Sequence, residues 1–198
     1  EWLPNVHEIL SGKKKGEELR LDRGLIISKL GHTFIQARVV AVGSDAVTLD
    51  DGRTVHFDAC IVSTGAADFI GGSGGVENHA LSLKSVASCQ QIAQRLRIAA
   101  LGHKTVRVSV VGGGVEGVEA FGEILRAYRY KPQFEFNVVD SGPGLLNGGS
   151  SGVEGTIKSH VKRYSVDFHF GKDVSDIDKE GLTFQDGSSL ESDITIWS

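Results

Sequence analysis

Residues 106–117 read Val-Arg-Val-Ser-Val-Val-Gly-Gly-Gly-Val-Glu-Gly, an apolar run that passes directly into closely spaced glycines. The run from Val106 to Val111 has the length and the β-branched content of a buried strand. Beyond the glycines, apolar side chains recur with the spacing of one helix face, at Val118, Phe121, Leu125 and Tyr128. The pattern therefore predicts a strand, a tight turn and a helix in immediate succession.

The glycines fit the spacing G-x-G-x-x-G at Gly112, Gly114 and Gly117. Gly112 would form the turn, Gly114 would let a pyrophosphate approach the backbone, and Gly117 would let the helix pack closely. The helix N-terminus would offer free N–H groups and the positive end of its dipole to the phosphates. We therefore predict that Gly112, Gly113, Gly114 and Gly117 bind a dinucleotide; the alternative is a glycine turn that only packs.

A carboxylate follows the next predicted strand, at Asp140. An acid at this distance from the glycines accepts hydrogen bonds from the adenosine ribose hydroxyls and would repel a 2′-phosphate. The neighbouring residues 141–144 contain no Arg or Lys to receive such a phosphate. The sequence therefore predicts NADH in preference to NADPH.

The rest of the chain alternates between strand and helix patterns, which predicts an α/β fold with a parallel sheet. Strands are predicted at 134–139 and 166–170, and helices from Ser85 towards Gly102 and over 153–164. The second helix should bury Val153, Ile157, Val161 and Tyr164.

An internal repeat links the two ends of the chain. Residues 47–52, Val-Thr-Leu-Asp-Asp-Gly, return at 182–187 as Leu-Thr-Phe-Gln-Asp-Gly, a displacement of 135 residues (47 to 182). Alternating apolar residues around Asp-Gly turns predict a β-meander in each copy. Both copies are expected to be incomplete at the ends of the sequence, with a boundary at the glycine-rich stretch 71–75.

Composition excludes several classes of function. A formal net charge of −4 and a pI near 6.0 argue against nucleic-acid binding. No apolar run is long enough to span a membrane, and the N-terminus does not resemble a signal peptide. The two cysteines, Cys60 and Cys89, lie in apolar segments and are predicted to pack in the core as reduced thiols of a cytoplasmic protein. The seven histidines show no ligand spacing, so no metal site is predicted.

These motifs resemble the FAD-dependent pyridine nucleotide-disulfide oxidoreductase superfamily, and within it the type II NADH dehydrogenases. Residues 110–123 are similar to the NAD-domain signature, and residues 57–65 to the strand that ends in Thr-Gly where the chain leaves the FAD domain. Residues 138–146 resemble the second NAD strand with its exit loop. The resemblance implies a Rossmann-like parallel sheet with a β-meander, in a truncated flavoprotein with two dinucleotide-binding domains.

The resemblance also assigns domains and cofactor contacts. It implies a partial FAD-binding domain over 1–70 and an NAD(H)-binding domain over 76–198. Glu119 would be the catalytic residue beside the nicotinamide, although its alternative is an ordinary solvated helix carboxylate. Val39, Thr64 and Gly65 would contact FAD. This sequence alone is expected to bind NADH, to hold FAD poorly and to be inactive.

Three functions stay open at this point. The first is hydride transfer from NADH to flavin and on to a small-molecule acceptor, with a quinone as one candidate and with any membrane attachment made through segments outside this sequence. The second is a superfamily reductase for a ferredoxin or rubredoxin, and the third is a non-catalytic NADH sensor. The absence of a Cys-x₄-Cys pair argues against a disulfide reductase.

Overall fold

A computed structural model describes residues 1–68, 72–148 and 151–198. Packing divides the chain into two compact units: a larger unit of Glu1–Arg20 with Ala67–Ser198, and a smaller unit of Leu21–Ala66. The first twenty residues thus pack with the C-terminal part of the chain, whereas the sequence prediction grouped them with residues 21–70. The assignment of residues 1–70 to an FAD domain stays a prediction. Within the described residues, no helix is both long and apolar enough to cross a bilayer.

The smaller unit is a short helix followed by a three-stranded meander. Helix α1 spans Arg23–Lys29, and Asp22 caps it by accepting a hydrogen bond from the Leu25 N–H at 3.0 Å. Three antiparallel strands follow in the order β1-β2-β3, with bounds Val39–Val42, Ala46–Leu49 and Thr54–His56. Gly52 sits at a φ of +85° in the turn before β3, where a side chain would be strained.

The larger unit contains a parallel sheet of five strands in the order β4-β11-β5-β6-β7. Its helices are α2 (Val76–His79), α3 (Val86–Ala99), α4 (Val115–Tyr128) and α5 (Ser151–Val161), and 3-10 helices cover Leu3–Ile9, Gly16–Leu19 and Leu145–Gly148. The parallel strands are β4 (Ala80–Ser82), β5 (Val106–Val111), β6 (Phe134–Asp140), β7 (Val166–Phe170) and β11 (Ile194–Trp197). A second meander consists of β8 (Val174–Ile177), β9 (Gly181–Phe184) and β10 (Ser189–Glu191). The predicted α/β class with a parallel sheet and meanders is confirmed.

Two apolar clusters cover opposite faces of the parallel sheet. Alternate residues of β5, such as Val108 and Val110, join α3, α4 and the N-terminal 3-10 helix in the larger cluster. Val111 faces the other way and packs with Val139, Trp197 and residues of the second meander. The central strands β11, β5 and β6 therefore contribute apolar residues to both clusters, which explains the nearly continuous apolar run from which β5 was predicted.

Helix α3 begins where the sequence predicts, because the Ser85 hydroxyl accepts a hydrogen bond from the Ser88 N–H at 3.0 Å. Helix α5 differs from its prediction in its bounds, since it ends at Val161 and not at Tyr164, and in the burial of one residue. Val153 was expected in the core but is 45% exposed. Leu145, whose N–H donates to the Glu154 carboxylate, is buried next to this end of α5 and occupies the core there.

The repeat is reproduced strand by strand. Strands β1, β2 and β3 begin at residues 39, 46 and 54, and β8, β9 and β10 begin at 174, 181 and 189. Each copy also contains a register shift in its first strand. It lies between Val39 and Ala41 in the first copy and between Val174 and Asp176 in the second. The same register and the same bulge at a constant displacement show that the two meanders are one structural unit used twice.

The fourth strand of the first copy is not formed, and the prediction for this segment is wrong. The counterpart of β11 would lie at residues 59–62, which have no strand geometry, and Ile61 is 93% exposed. Strand β11 is held between β4 and β5, and the described residues provide no such neighbours for residues 59–62. Cys60 is consequently exposed rather than packed in a core, whereas Cys89 is buried as predicted.

Candidate functional site

The glycine turn lies at a topological switch point of the parallel sheet. From β5 the chain proceeds to β6 and β7 on one side, while β11 pairs with the other side of β5. The carboxyl ends of strands around such a point form a crevice that binds ligands in open α/β sheets. The residues of the glycine motif follow immediately after Val111, so they line this crevice.

Two of the glycines are required by backbone contacts. Gly112 has a φ of +112°, and a Cβ there would lie 2.9 Å from the Ser198 carbonyl oxygen. A Cβ at Gly117 would lie 1.9 Å from the Gly112 carbonyl oxygen, so the first turn of α4 packs directly on the turn. These contacts give both glycines a structural reason that does not depend on a ligand.

Gly114 is different, because a Cβ built on it meets nothing within 4 Å. It is the N-cap of α4 and its φ of −69° is open to any residue, so the fold does not require glycine at this position. The first N–H groups of a helix have no intrahelical acceptor and carry the positive end of its dipole. The open space therefore lies in front of backbone donors suited to a phosphate, and a dinucleotide pyrophosphate fits the residues present.

The Asp140 carboxylate is held beside the glycine turn. Its Oδ2 accepts a hydrogen bond from the Gly113 N–H at 2.5 Å, and its Oδ1 accepts one from the Gly142 N–H at 2.6 Å. One donor on each oxygen fixes the orientation and leaves acceptor capacity on both. The carboxylate can therefore accept further hydrogen bonds from hydroxyl groups of a bound ligand.

A cavity of about 300 Å³ adjoins this carboxylate and includes a cation that sequence reasoning missed. Its lining includes Gly112, Asp140, Lys172, Gln185 and Ser198. Lys172 is distant from Asp140 in sequence, but β6 pairs with β7 so that Asp140 lies opposite Phe170. The proximity of Lys172 and Asp140 could have been predicted from the parallel pairing of β6 with β7, because this pairing brings the residues just after Phe170 next to Asp140.

The Lys172 ammonium is already partnered. Its Nζ donates to the Asp186 carboxylate at 2.5 Å and to the Ser188 hydroxyl at 3.0 Å, and lies 5.3 Å from the centroid of the Phe184 ring. The hydrogen bond from Lys172 holds the pKa of Asp186 well below its usual range, aided by donors from Ser188. Asp186 thus neutralises the one cation that lines the cavity near Asp140 among the described residues.

Glu119 lies on α4, and its side chain is 47% exposed. Its Oε2 is 3.4 Å from His7 Nδ1, so the N-terminal 3-10 helix approaches this carboxylate. Glu123, one turn further on, forms an ion pair with Arg126 and accepts a hydrogen bond from Ser11. The structure places Glu119 on the same helix as the glycine turn but brings no other predicted site residue against it, and its catalytic role stays a prediction.

The residues predicted to contact FAD belong to the smaller unit. Val39 begins β1 and is 46% exposed, and Thr64 and Gly65 lie in the irregular segment after β3. Among the described residues no hydrogen bond connects Val39 with Thr64 or Gly65. These three assignments therefore continue to rest on the resemblance.

The buried thiol takes no part in this site. Burial, aided by Glu116 and Glu1, raises the pKa of Cys89 to about 12, so the protonated thiol predominates at neutral pH. Its Sγ donates to the Leu83 carbonyl oxygen at 3.6 Å. No group of three metal-binding side chains occurs in the part of the chain that the structure describes.

Comparison with known proteins identifies sequence relatives over most of the chain. The large subunit of nitrite reductase [NAD(P)H] from Klebsiella oxytoca is 26% identical over 98% of this chain and 20% of its own length. Ferroptosis suppressor protein 1 from Taeniopygia guttata is 29% identical over 75% of this chain and 38% of its own length. The chain therefore spans well under half the length of these two relatives.

Solved structures show the same fold at low sequence identity. The sulfide:quinone oxidoreductase of Aquifex aeolicus superposes with a TM-score of 0.82 at 16% identity, over 98% of this chain and 49% of that one. A ferredoxin reductase from Rhodopseudomonas palustris gives 0.79 at 16% identity, over 98% and 48%. NDH2 of Plasmodium falciparum in complex with NADH gives 0.79 at 18% identity, over 100% and 47%.

The family comparison covers nearly the whole chain. The sequence profile described as pyridine nucleotide-disulphide oxidoreductase matches residues 4–198. This family uses FAD and NAD(P)H, which is the cofactor pair predicted from the sequence. The chain therefore belongs to the pyridine nucleotide-disulphide oxidoreductase family of FAD-dependent oxidoreductases.

Proposed function

We propose that this chain is the NADH-binding portion of an FAD-dependent NADH dehydrogenase. The observation that carries the proposal is the open space at Gly114, which lies at the N-terminus of α4 beside the oriented Asp140 carboxylate. Gly114 and the first N–H groups of α4 would bind the pyrophosphate, Gly112, Gly113 and Gly117 would form the turn around it, and Asp140 would accept hydrogen bonds from the adenosine ribose. When bound, FAD supplies the acceptor for the hydride of NADH, and the protein sets distance and orientation.

Nucleotide binding is tested by calorimetric titration of the chain with NADH. Gly114→Ala should weaken binding by about tenfold or more, because the added methyl group occupies the space of the pyrophosphate. Gly122→Ala is the matched control, since Gly122 is in the same helix and a Cβ there also meets nothing within 4 Å. Equal affinities of the two variants would contradict the assignment of Gly114, and tighter binding of NADPH than NADH would contradict that of Asp140.

Glu119 is proposed to act beside the nicotinamide. Its side chain is 47% exposed, so the carboxylate can reach a bound group while Oε2 stays 3.4 Å from His7 Nδ1. In the full-length protein, Glu119→Gln should slow reduction of the flavin by NADH in a stopped-flow measurement. Glu123→Gln is the control, because Glu123 lies one turn further along α4 and pairs with Arg126 instead. An unchanged rate in the Glu119 variant would remove this residue from the mechanism.

Flavin binding is proposed for the full-length protein, with Val39, Thr64 and Gly65 near FAD. The smaller unit leaves Thr64 and Gly65 in an exposed segment without strand partners, so this chain by itself should retain little flavin. The visible absorbance of oxidised flavin measures the retained cofactor directly. A stoichiometric yellow flavin in the isolated chain would contradict this expectation.

The acceptor is proposed to be a quinone, with a ferredoxin- or rubredoxin-type protein as the second candidate. Solved structures with this fold include a sulfide:quinone oxidoreductase and a ferredoxin reductase, which supports both classes. NADH oxidation by the full-length protein, measured with a soluble quinone and with a reducible ferredoxin, separates them. Tight NADH binding without turnover on any acceptor, artificial ones included, would favour a non-catalytic sensor.

A further inference from the structure

Three connections of the larger unit lie at one edge of the parallel sheet. Residues 97–105, 129–133 and 162–165 precede β5, β6 and β7, and because these strands are parallel their amino ends share an edge. We call the three segments the amino-edge loops, and the first of them includes the last turn of α3. The glycine turn follows the opposite end of β5, and a strand of this length separates the two edges by about 20 Å.

Side-chain contacts join the amino-edge loops into one surface. Gln133 Nε2 donates to the carbonyl oxygens of Ala100 and Gly102, each at 3.2 Å, which ties the second loop to the first. The Arg129 guanidinium lies 4.9 Å from the centroid of the Tyr130 ring and 5.9 Å from that of Tyr164, which ties the second loop to the third. The three loops therefore form a continuous surface.

This surface is strongly basic. The amino-edge loops contain six Lys and Arg residues and no Asp or Glu: Arg97, Lys104, Arg129, Lys131, Lys162 and Arg163. None of the six forms an ion pair with any described residue. Three carboxylates are nearby along the sheet, those of Glu135, Glu191 and Asp193. Glu135 and Glu191 pair with Arg107, and the Asp193 carboxylate accepts a hydrogen bond from the Arg107 N–H at 2.7 Å. Positive charge is thus concentrated here in a chain whose net charge is −4.

Large apolar side chains are exposed in the same segments as these cations. Leu101 is 83% exposed, Tyr130 is 76% exposed, and Ile98 at the end of α3 is 62% exposed. Leu101 lies in a turn in which its N–H donates to the Ile98 carbonyl oxygen at 3.1 Å, so both side chains belong to the first loop. Exposed apolar side chains among cations are the combination that binds at a membrane interface.

We propose that the amino-edge loops dock on the anionic surface of a lipid bilayer, so that attachment is made through this sequence and not only, as was expected from the sequence, through segments outside it. The cations would contact lipid headgroups, while Leu101 and Tyr130 would enter the interfacial region. The exposed Leu101, Tyr130 and Ile98 favour a bilayer over a purely polar anionic partner, because the interface of a bilayer accepts apolar side chains as well as cations. Docking in this orientation leaves the glycine turn facing the aqueous side. The inference does not depend on the proposed function, because it uses no residue of the nucleotide site.

The test is cosedimentation of the full-length protein with phosphatidylcholine vesicles, with and without phosphatidylserine. Binding should require the anionic lipid and should fall as salt is raised, since the attraction is screened. Removing two cations with Lys131→Gln and Lys162→Gln should lower the partition coefficient about 25-fold, at about fivefold for each cation. Leu101→Ser should lower it about tenfold, through lost apolar contact.

The matched control is the double variant Lys14→Gln and Lys84→Gln. These two lysines pair with Glu18 and Glu116 outside the amino-edge loops, Lys84 follows the carboxyl end of β4, and their removal changes the net charge equally. The control should bind like the unaltered protein. Three results would each overturn the proposal: equal binding to neutral and anionic vesicles, no binding by the unaltered protein, or equal losses in the control and the Lys131 and Lys162 variant.

Discussion

Replacing Gly117 by alanine should destabilise the larger unit, although alanine is the better helix former. A Cβ at this position would lie 1.9 Å from the Gly112 carbonyl oxygen and 3.0 Å from its carbon. A carbon normally stays about 3.3 Å from a carbonyl oxygen, so the helix or the turn must move by more than about 1 Å. Because the obstacle is backbone, no rotamer change relieves the overlap. Overpacking should cost about 3 kcal/mol, and the higher helix propensity of alanine should return about 1 kcal/mol. The free energy of unfolding should therefore fall by about 2 kcal/mol.

Gly122→Ala should change the stability in the opposite direction, although Gly122 lies in the same helix. A Cβ at Gly122 meets nothing within 4 Å, so the variant should gain about 1 kcal/mol from helix propensity alone. At about 2–4 °C per kcal/mol, Tm should fall by about 4–8 °C for Gly117→Ala and rise by about 2–4 °C for Gly122→Ala.

Thermal unfolding monitored by tryptophan fluorescence measures the difference in Tm between these variants, and it reports on the larger unit. The chain contains two tryptophans, Trp2 and Trp197, and both lie in the larger unit. Trp197 is buried beside Val111 and Val139, so its emission should change when the sheet unfolds. A Gly117→Ala variant as stable as the unaltered chain would refute the close helix-to-turn contact as the reason for this glycine.

Two further predictions concern charge. Asp186→Asn should raise the affinity for NADPH relative to NADH by about fivefold in calorimetric titrations, because it frees the Lys172 ammonium for a 2′-phosphate. The control is Asp178→Asn, in the preceding turn, which should leave the ratio of the two affinities unchanged. An equal shift in both variants would contradict the role of Lys172. Burial lowers the pKa of His169 in the folded chain. Below pH 6.5, about the ordinary pKa of histidine, the unfolded chain therefore binds a proton more readily than the folded chain. The free energy of unfolding should consequently fall as pH decreases from about 6.5 to 5. His169→Gln should reduce that fall in urea titrations across this range; an unaltered pH dependence would exclude His169 as its source.

Much of the fold could be predicted from the sequence because its signals are local. Strand β5 and the cap of α3 at Ser85 depend on apolar patterning and on one hydroxyl, both of which act within a few residues. The constant displacement of the repeat also predicted the second meander from the first. The segment after β3 shows the limit of this reasoning, because a central strand needs neighbours on both sides and residues 59–62 have none among the described residues.

The sequence by itself determined the parallel sheet, the glycine turn after Val111 and the acid at the end of β6, since spacing along the chain specifies each of them. Only the tertiary structure decided what surrounds that acid. The pairing of Asp140 with Phe170 brings Lys172 to the same cavity, and the turn after β9 then neutralises it through Asp186. Tertiary structure likewise separated the glycines that packing requires from Gly114, which packing does not. These distinctions arise from contacts between residues far apart in sequence, and a pattern along one chain does not contain those distances.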